Sequence, residues 1–506
     1  MPASPEVSTT ADRQRTSPFA LVMLLLAALW CVLWFLHARG YWEDDAYIHL
    51  EFARSLAEGR GFAFDGSIVY GDTSPLWVWL LVAFHAVIPD WITAGKTLVA
   101  IACAVSLTGA FAFARSLTRD LPRTRSIAFA AAMVLLFVTN PYFGYWAFSG
   151  MEALAGAGLV CWACVFIAPR QLSTSRFLLA ALLAGLAPLL RPEMGFFTVL
   201  LGLVLLQRLV TTPASIAARL AKFIAGLALI AGPGIAWGLY ALHTFGRVLP
   251  NTNAAKRAGP HDSVILRLLS VYGLGFPLVL LGLAALLLWL LLKRRPAEQG
   301  SASSPRLIAL LPASGWLIVL WTAVNCIFYV ANHTYVQTRY VFVSAPVLII
   351  VIMALWLKLS PSLYRAGLVF GLVFGVVISL DATWPLIHNK VGIDRDYAAL
   401  AAFLRTLPPN APVAHYSIGE AAFLSRHPLV DTGGITRPGI IPFLWDSTDD
   451  RRIAWMHSQG AVYVVIDHQP EPGAVELWHR EIPTSGWFLN PHRYDAHDKL
   501  ELWTLP

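Results

Sequence analysis

Apolar residues in this chain gather into long runs, with the polar residues collected between them. The first run, Phe19 to Leu36, is too long and too rich in Leu and Trp for a cleaved signal sequence. It predicts a retained anchor behind a polar tail, residues 1–17, that carries Arg13 and Arg15. Further runs lie at about 91–114, 127–140, 154–168, 177–190, 195–210, 223–242, 264–292, 307–330, 341–357 and 366–381, so that about eleven membrane spans are expected.

The segment from Pro75 to Pro89 decides the topology, because counting it as a span inverts everything after it. It is short, opens on a proline and is bordered by Trp77, Trp79 and Trp91, which suits a helix lying at the membrane interface. Left out of the count, it places Arg115, Arg119, Arg123 and Arg125, then Arg170 and Arg176, Arg208, Arg219 and Lys222, Lys293 to Arg295, and Lys358 and Arg365 on one side. Cation-rich loops face the cytoplasm, so the N-terminus is expected inside. The outer loops are then 38–74, 140–153, 191–194, 243–263 and 331–340. The outer tail, 382–506, changes character: the strand-like runs Pro412 to Tyr416 and Ala461 to Ile466 alternate with turn signals at Pro408-Pro409 and Gly433-Gly434. The expected architecture is a polytopic α-helical membrane domain, 18–381, whose first outer region is 38–90, followed by a small soluble periplasmic α/β domain, with Ala297 to Pro305 as a cytoplasmic linker.

Composition agrees with this pattern. Hydrophobic residues make up 57% of the 506 and charged residues only 13%, against about 25% in soluble domains, which excludes an ordinary soluble enzyme. The net charge of +7 encodes orientation and gives no reason to expect nucleic acid as a partner. All five cysteines fall inside apolar runs, so the tail has no disulfide framework, and Cys161-Trp162-Ala163-Cys164 reads as apolar packing. The tail histidines show no zinc spacing.

Chemistry concentrates in the outer loops. Glu43, Asp44 and Asp45 follow the first span directly, and ionisable groups at a membrane boundary are functional candidates by default. Adjacent carboxylates can bind a cation or raise one another's pKa enough to make a general base, while the bland alternative is a helix cap. Arg191 and Glu193 straddle Pro192 and could pair with each other; Glu152 could be a first-turn acid favoured by the helix dipole. Arg339 precedes an apolar run from the outside, against the orientation bias, so topology gives no reason for it.

The first outer loop reads Glu43-Asp44-Asp45-Ala46-Tyr47-Ile48, then Ala53-Arg54-Ser55-Leu56-Ala57-Glu58-Gly59, Gly59-Arg60-Gly61-Phe62 and Thr73-Ser74-Pro75-Leu76-Trp77. It resembles the first extracytoplasmic loop of GT-C superfamily glycosyltransferases, most closely the group containing the terminal arabinofuranosyltransferases. Lipid A aminoarabinose transferases and protein O-mannosyltransferases are more distant. Later matches are Gly150-Met151-Glu152, Leu190-Arg191-Pro192-Glu193, Pro250-Asn251-Thr252 with Ala255-Lys256, Arg339-Tyr340, and in the tail Ile418-Gly419-Glu420 and Asp431-Thr432-Gly433-Gly434. Tyr70 and Asp72 depart from the arabinosyltransferase pattern, where Glu and Tyr are expected.

The resemblance implies a bacterial inner-membrane enzyme that moves a sugar from a polyprenyl-phosphate donor to a cell-envelope glycan, lipid or protein, with membrane lipids around it. It implies Asp44 or Asp45 as the catalytic base, Arg191, Arg339 and Lys256 as donor-phosphate ligands, and Glu152, Glu193, Arg54 and Asn251 as substrate-binding residues. No Gly-rich loop predicts a nucleotide cofactor. Glu43, Asp44, Asp45 and Glu152 could supply oxygen ligands to a divalent cation such as Mg²⁺, Mn²⁺ or Ca²⁺, and carboxylates do not choose among them. The competing reading is a transporter or flippase of a lipid-linked sugar. Such proteins commonly repeat one half in the other, which this sequence does not do.

Overall fold

The computed structural model describes residues 18–257, 263–293, 310–444, 450–481 and 499–506. The expected N-terminal tail, the cytoplasmic linker with Arg294, Arg295 and Arg306, and the tail residues His492 and His497 lie outside that range. In chain order, α1 (Pro18–His37) leads to α2 (Asp44–Ala57), a hairpin of β1 (Ala63–Phe64) and β2 (Ser67–Ile68), and α3 (Pro75–His85). There follow α4 (Trp91–Leu117), α5 (Arg123–Val138), α6 (Pro141–Trp146), α7 (Ala153–Ile167), α8 (Thr174–Leu190), α9 (Gly195–Thr211), α10 (Ile216–Phe245) and α11 (Thr252–Ala255). The second half of the bundle holds α12 (Val264–Gly275), α13 (Pro277–Lys293), α14 (Ala313–Ala331), α15 (Thr338–Phe342), α16 (Ala345–Leu359) and α17 (Pro361–Ile378).

Within the described residues every predicted apolar run is mainly helical, but the run at 264–292 is not one span. It breaks at Phe276, where α12 and α13 meet at 108°. Pro277 cannot donate a backbone hydrogen bond and its ring blocks continuation of the preceding turn, so α12 ends against it. Among the described residues, six helices qualify by length and composition to cross a membrane, or seven with this bent pair. Helices α7, α8 and α16 are shorter. Both α7 and α16 are buried along most of their length, so these short helices are held by packing inside the bundle. The outer faces of α1 and α10 instead carry rows of exposed Leu, Ile, Val and Phe, the surface expected to meet acyl chains. The chain is thus a polytopic helical membrane protein.

The segment beginning at Pro75 forms α3, only 11 residues long, packed against α2, α4 and α8. Trp77 and Val78 on it are fully buried and Trp79 is exposed. Trp77 donates its Nε1 hydrogen to the Gly150 carbonyl at 3.0 Å, which stitches the first loop to the second.

The tail begins with α18 (Trp384–Leu404), reached from α17 through a π-helical turn at Ser379–Thr383. Then come β3 (Val413–His415), α19 (Ile418–Ser425), β4 (Leu429–Asp431), α20 (Asp450–Ser458), β5 (Tyr463–Val465), β6 (Glu476–Glu481) and β7 (Lys499–Thr504). The five strands form one sheet in the order β4-β3-β5-β7-β6. The three on the β4 side are parallel, and β7 runs antiparallel to both its neighbours. Both predicted strand runs are present, as β3 and β5. The motif at Asp431 closes a turn: its carboxylate accepts from the Gly433 N–H at 2.7 Å and the Thr436 N–H at 2.5 Å.

Candidate functional site

Helix α2 starts on the three acids, with Glu43 in extended conformation just before it and Asp44 and Asp45 in its first turn. Neither aspartate caps the helix by a side-chain hydrogen bond, so the bland reading of these residues as caps does not hold. Successive residues in a helical turn point about 100° apart, and the three carboxylates accordingly face three different partners.

Glu43 faces the bundle. It accepts from the hydroxyls of Tyr41 at 2.7 Å and Tyr145 at 2.9 Å, with Lys390 of α18 at 3.7 Å. Burial works to raise its pKa, but Lys390 and the two hydroxyls outweigh that and keep the carboxyl below its ordinary range.

Asp44 faces the tail. Its Oδ1 accepts the backbone N–H of Glu420 at 2.9 Å, at the first turn of α19. Gly419 lies directly against the Asp44 carbonyl, with no room for a β-carbon, and this close approach explains glycine there. Burial, helped by the charges of Asp45 and Glu43, pushes Asp44 up to about 7. Glu420 and Asp394 share the same pocket of the structure and are pushed up to about 10 and about 8, burial being the largest cause for both. Asp394 also accepts the Trp42 N–H at 3.2 Å.

Asp45 faces the cations. Arg339 on α15 pairs with its Oδ2, and the Lys256 ammonium lies 3.6 Å from the same oxygen. Burial would raise this carboxyl, yet the two cations hold it well below the usual range. Arg339 is only 4% exposed and lies against the rings of Tyr340 and Trp146, 5.6 and 5.8 Å from their centroids. Lys256 is placed by its backbone: its carbonyl accepts from the Tyr335 N–H at 2.9 Å, and Arg257 bridges Thr334.

One turn further along α2, His49 anchors a chain of buried charges. Its Nδ1 lies 2.5 Å from Asp72 Oδ2 and its Nε2 3.2 Å from Glu152 Oε2. Glu152 Oε1 is 2.5 Å from Arg191 Nη1, and Arg191 Nε donates to Glu193 at 2.6 Å. Burial disfavours a charged imidazole, but two carboxylates overcome it, Asp72 most of all, and raise His49 to about 10, so it is an imidazolium at neutral pH. Glu152 is correspondingly held at about 2, the cations Arg191 and His49 outweighing burial. The Gly-Met-Glu motif sets the middle of this chain: Gly150 takes a φ of +87°, a conformation only glycine adopts without strain, and packs on Trp42 and Ala46 of the first loop.

The first outer loop, the 140–153 loop, the Arg191 corner, the loop before Arg257 and the segment before α15 therefore meet at one end of the bundle, as the predicted topology requires. The remaining candidates make the following contacts. Arg54 pairs with Glu51 and donates to the Phe423 carbonyl of α19 at 2.8 Å, tying α2 to the tail. Asn251 accepts from Arg247 at 2.7 Å, and its backbone N–H donates to the Tyr70 carbonyl at 3.0 Å. Arg191 and Glu193 are indeed paired. The four carboxylates considered as metal ligands diverge, and among the described residues no three His, Cys, Asp or Glu side chains come together to hold a metal ion.

Sequence reasoning missed His49 and the role of Asp72. Asp72 was noted only as a departure from the arabinosyltransferase pattern; paired with His49 it is buried, 4% exposed, and its other oxygen accepts the Ser74 N–H at 2.6 Å. The signal available was a lone histidine one turn after the acids, on a helix whose other face is apolar. Tyr70, the second departure, accepts from Trp237 Nε1 at 2.7 Å and stacks on Phe245.

No protein-family model matches the chain, and no curated protein sequence matches it. Similar solved structures include ArnT from Cupriavidus metallidurans, a lipid A aminoarabinose transferase, in the apo state and bound to undecaprenyl phosphate. Their TM-scores are 0.55 and 0.54, each at 15% identity over 96% of this chain and 98% of that one. The oligosaccharyltransferase of Archaeoglobus fulgidus, tethered to an acceptor peptide, matches at a TM-score of 0.44 and 12% identity over 89% of this chain and 69% of that one.

Proposed function

Since the chain has the fold of the GT-C glycosyltransferase ArnT over almost its whole length, we propose that it is a membrane glycosyltransferase using a polyprenyl-phosphate sugar, with its active site on the extracytoplasmic face of a bacterial inner membrane. The observation that carries this reading is the Asp45, Arg339 and Lys256 cluster: an acid and two cations, drawn from three separate loops, meeting at the mouth of the bundle. Undecaprenyl phosphate bound to ArnT supports a phosphate-bearing lipid as donor.

In the proposed reaction the donor phosphate takes Arg339 and Lys256 from Asp45. The freed carboxylate then accepts the proton of an acceptor hydroxyl, whose oxygen bonds to the sugar C1. The C1–O bond to phosphate breaks with its electron pair, and the leaving phosphate keeps both cations as its charge grows. Geometry supports Asp45 over Asp44 as the base in this reading. Asp44 has the pKa better matched to base catalysis at neutral pH, but its oxygen is turned to α19; Asp45 stands beside the cations, and position precedes pKa in assigning a base. Arg191, spent on Glu152 and Glu193, is assigned to holding the second loop against the first instead of touching phosphate.

The test is a mass-spectrometric comparison of surface glycans from cells with and without the gene, followed by transfer assays with polyprenyl-phosphate pentoses and hexoses. A missing sugar names the donor. Unchanged glycans, combined with movement of a lipid-linked sugar across vesicles containing the purified protein, would replace this reading with a flippase.

A further inference from the structure

A second, separate cavity lies between the end of α1 and the first half of α18. Its volume is about 330 Å³, and Leu36, His37 and Arg39 face His388, Val391 and Arg395 across it, with no acid on its wall. Among the described residues neither Arg39 nor Arg395 has an ion-pair partner. The nearby acids are turned elsewhere: Asp394 accepts from the Trp42 backbone and Asp396 pairs with Arg480. His37 stacks on Trp384 at 3.6 Å, and its Nε2 lies 2.9 Å from the Trp384 carbonyl oxygen, so that nitrogen carries the hydrogen. The His388 ring lies nearly parallel to it at 6.4 Å. Two guanidinium groups around one hollow repel one another unless an anion sits between them, and the imidazoles beside them add polar N–H groups for such an anion.

The surroundings say which kind of anion. Leu33, Phe35 and Leu36 on α1 are exposed, as are Val377 and Leu380 just ahead of α18. Those side chains face acyl chains in a membrane, so the cations begin where the lipid-facing surface stops, at headgroup depth. We propose that this cavity binds the phosphate of an anionic membrane lipid, with Arg39 and Arg395 holding the phosphate oxygens, His388 beside them, and the acyl chains lying along α1 and α17. A free phosphate has no use for the apolar approach. The site is independent of the sugar donor, since neither Asp45, Arg339 nor Lys256 lies on its wall.

Native mass spectrometry of the purified full chain, titrated in parallel with phosphatidylglycerol and phosphatidylcholine, tests this. Wild-type protein should retain phosphatidylglycerol preferentially. Arg39→Gln with Arg395→Gln should lose that preference by about tenfold or more, as expected for removing two charge-assisted contacts. Arg39→Lys with Arg395→Lys, which keeps the charge, should retain part of it. Equal retention of phosphatidylglycerol by wild type and the glutamine pair overturns the proposal, and displacement of the lipid by inorganic phosphate alone overturns its assignment to a lipid. If the double variant does not fold, the single glutamine variants decide: each should lose part of the preference, and no loss in either overturns the site.

Discussion

Arg339 reaches Asp45 across 294 positions of sequence, and this pair closes the mouth of the bundle with an acid and a base that neutralise each other. The pairing keeps a buried guanidinium satisfied while no donor is present. In the proposed reaction a phosphate bound in place of the carboxylate would do so equally well, so the pair would serve as an exchangeable lock whose opening sets Asp45 free.

Asp45→Asn should lower turnover by a factor on the order of 10² to 10⁴, the range for loss of a general base, with donor binding retained because the competing carboxylate charge is gone. Asp44→Asn should cost about tenfold or less, since its oxygen still accepts from the Glu420 N–H. Steady-state kinetics with a polyprenyl-phosphate sugar and separate donor titrations measure both. The reverse ranking would move the base to Asp44.

Arg339→Ala should weaken donor binding by roughly ten- to a hundredfold and lower turnover as well, because a guanidinium that holds phosphate oxygens contributes before the transition state and in it. Arg339→Lys should restore little, lacking the fork and the ring contacts with Tyr340 and Trp146. Donor titration of both variants is the check.

His49→Gln should destabilise the membrane domain by on the order of 3 kcal/mol, since it leaves Asp72 and Glu152 facing each other without the cation between them. The pH dependence has a definite sign. The folded protein raises His49 to about 10 from an ordinary value near 6.5, so its stabilising contribution is complete below about pH 6.5 and is lost as pH climbs toward 10. Wild-type melting temperature should therefore fall over that alkaline window more steeply than that of His49→Gln.

The contact between α2 and the tail should loosen in the same direction for a different reason. Asp44, Asp394 and Glu420 all titrate above the ordinary carboxylate range in the folded protein, so the docked state holds protons that the undocked state releases, and docking weakens as pH rises from about 4 through about 10. Lys390 and Glu43 border the cluster. Hydrogen exchange over Ile418–Ser425 should accelerate across this window, and Asp394→Asn with Glu420→Gln should flatten the response.

For topology, a reporter fused after Arg295 should be active in the cytoplasm and one fused at Pro506 in the periplasm. Within α3, a cysteine at Trp79 should be labelled from outside while one at Val78, which is fully buried, should not. Identical sidedness for the two fusions would overturn the proposed orientation.

The helical runs and the gathering of polar loops at one end were legible because a bilayer demands long uninterrupted apolar segments, and those are read directly from sequence. The break at Phe276 was not, because the runs on both sides are equally apolar and only Pro277 marked it. Asp45, Arg339 and Lys256 were legible as types in suspicious places; which of two adjacent aspartates met the cations was not, because helix phase about one turn decides it. The contacts of Arg54 and Asn251 were not legible, since Phe423 and Ile435 lie in the tail, hundreds of positions away. His49 went unnoticed because its partners, Asp72 and Glu152, have meaning only once two loops are brought together.

The Asp44 to Glu420 bond joins residues 376 positions apart, and it fixes an order of events during biosynthesis. The acids at Glu43 to Asp45 leave the ribosome soon after the first helix, but the turn that grips Asp44 is made only after every apolar helix has been synthesised and inserted. A nascent chain thus carries its acidic loop through nearly all of translation without the last of its supports. Chains cut short by a stop codon or by proteolysis before Ile418 lack that support, and their acidic loop is left to the contacts of the bundle alone.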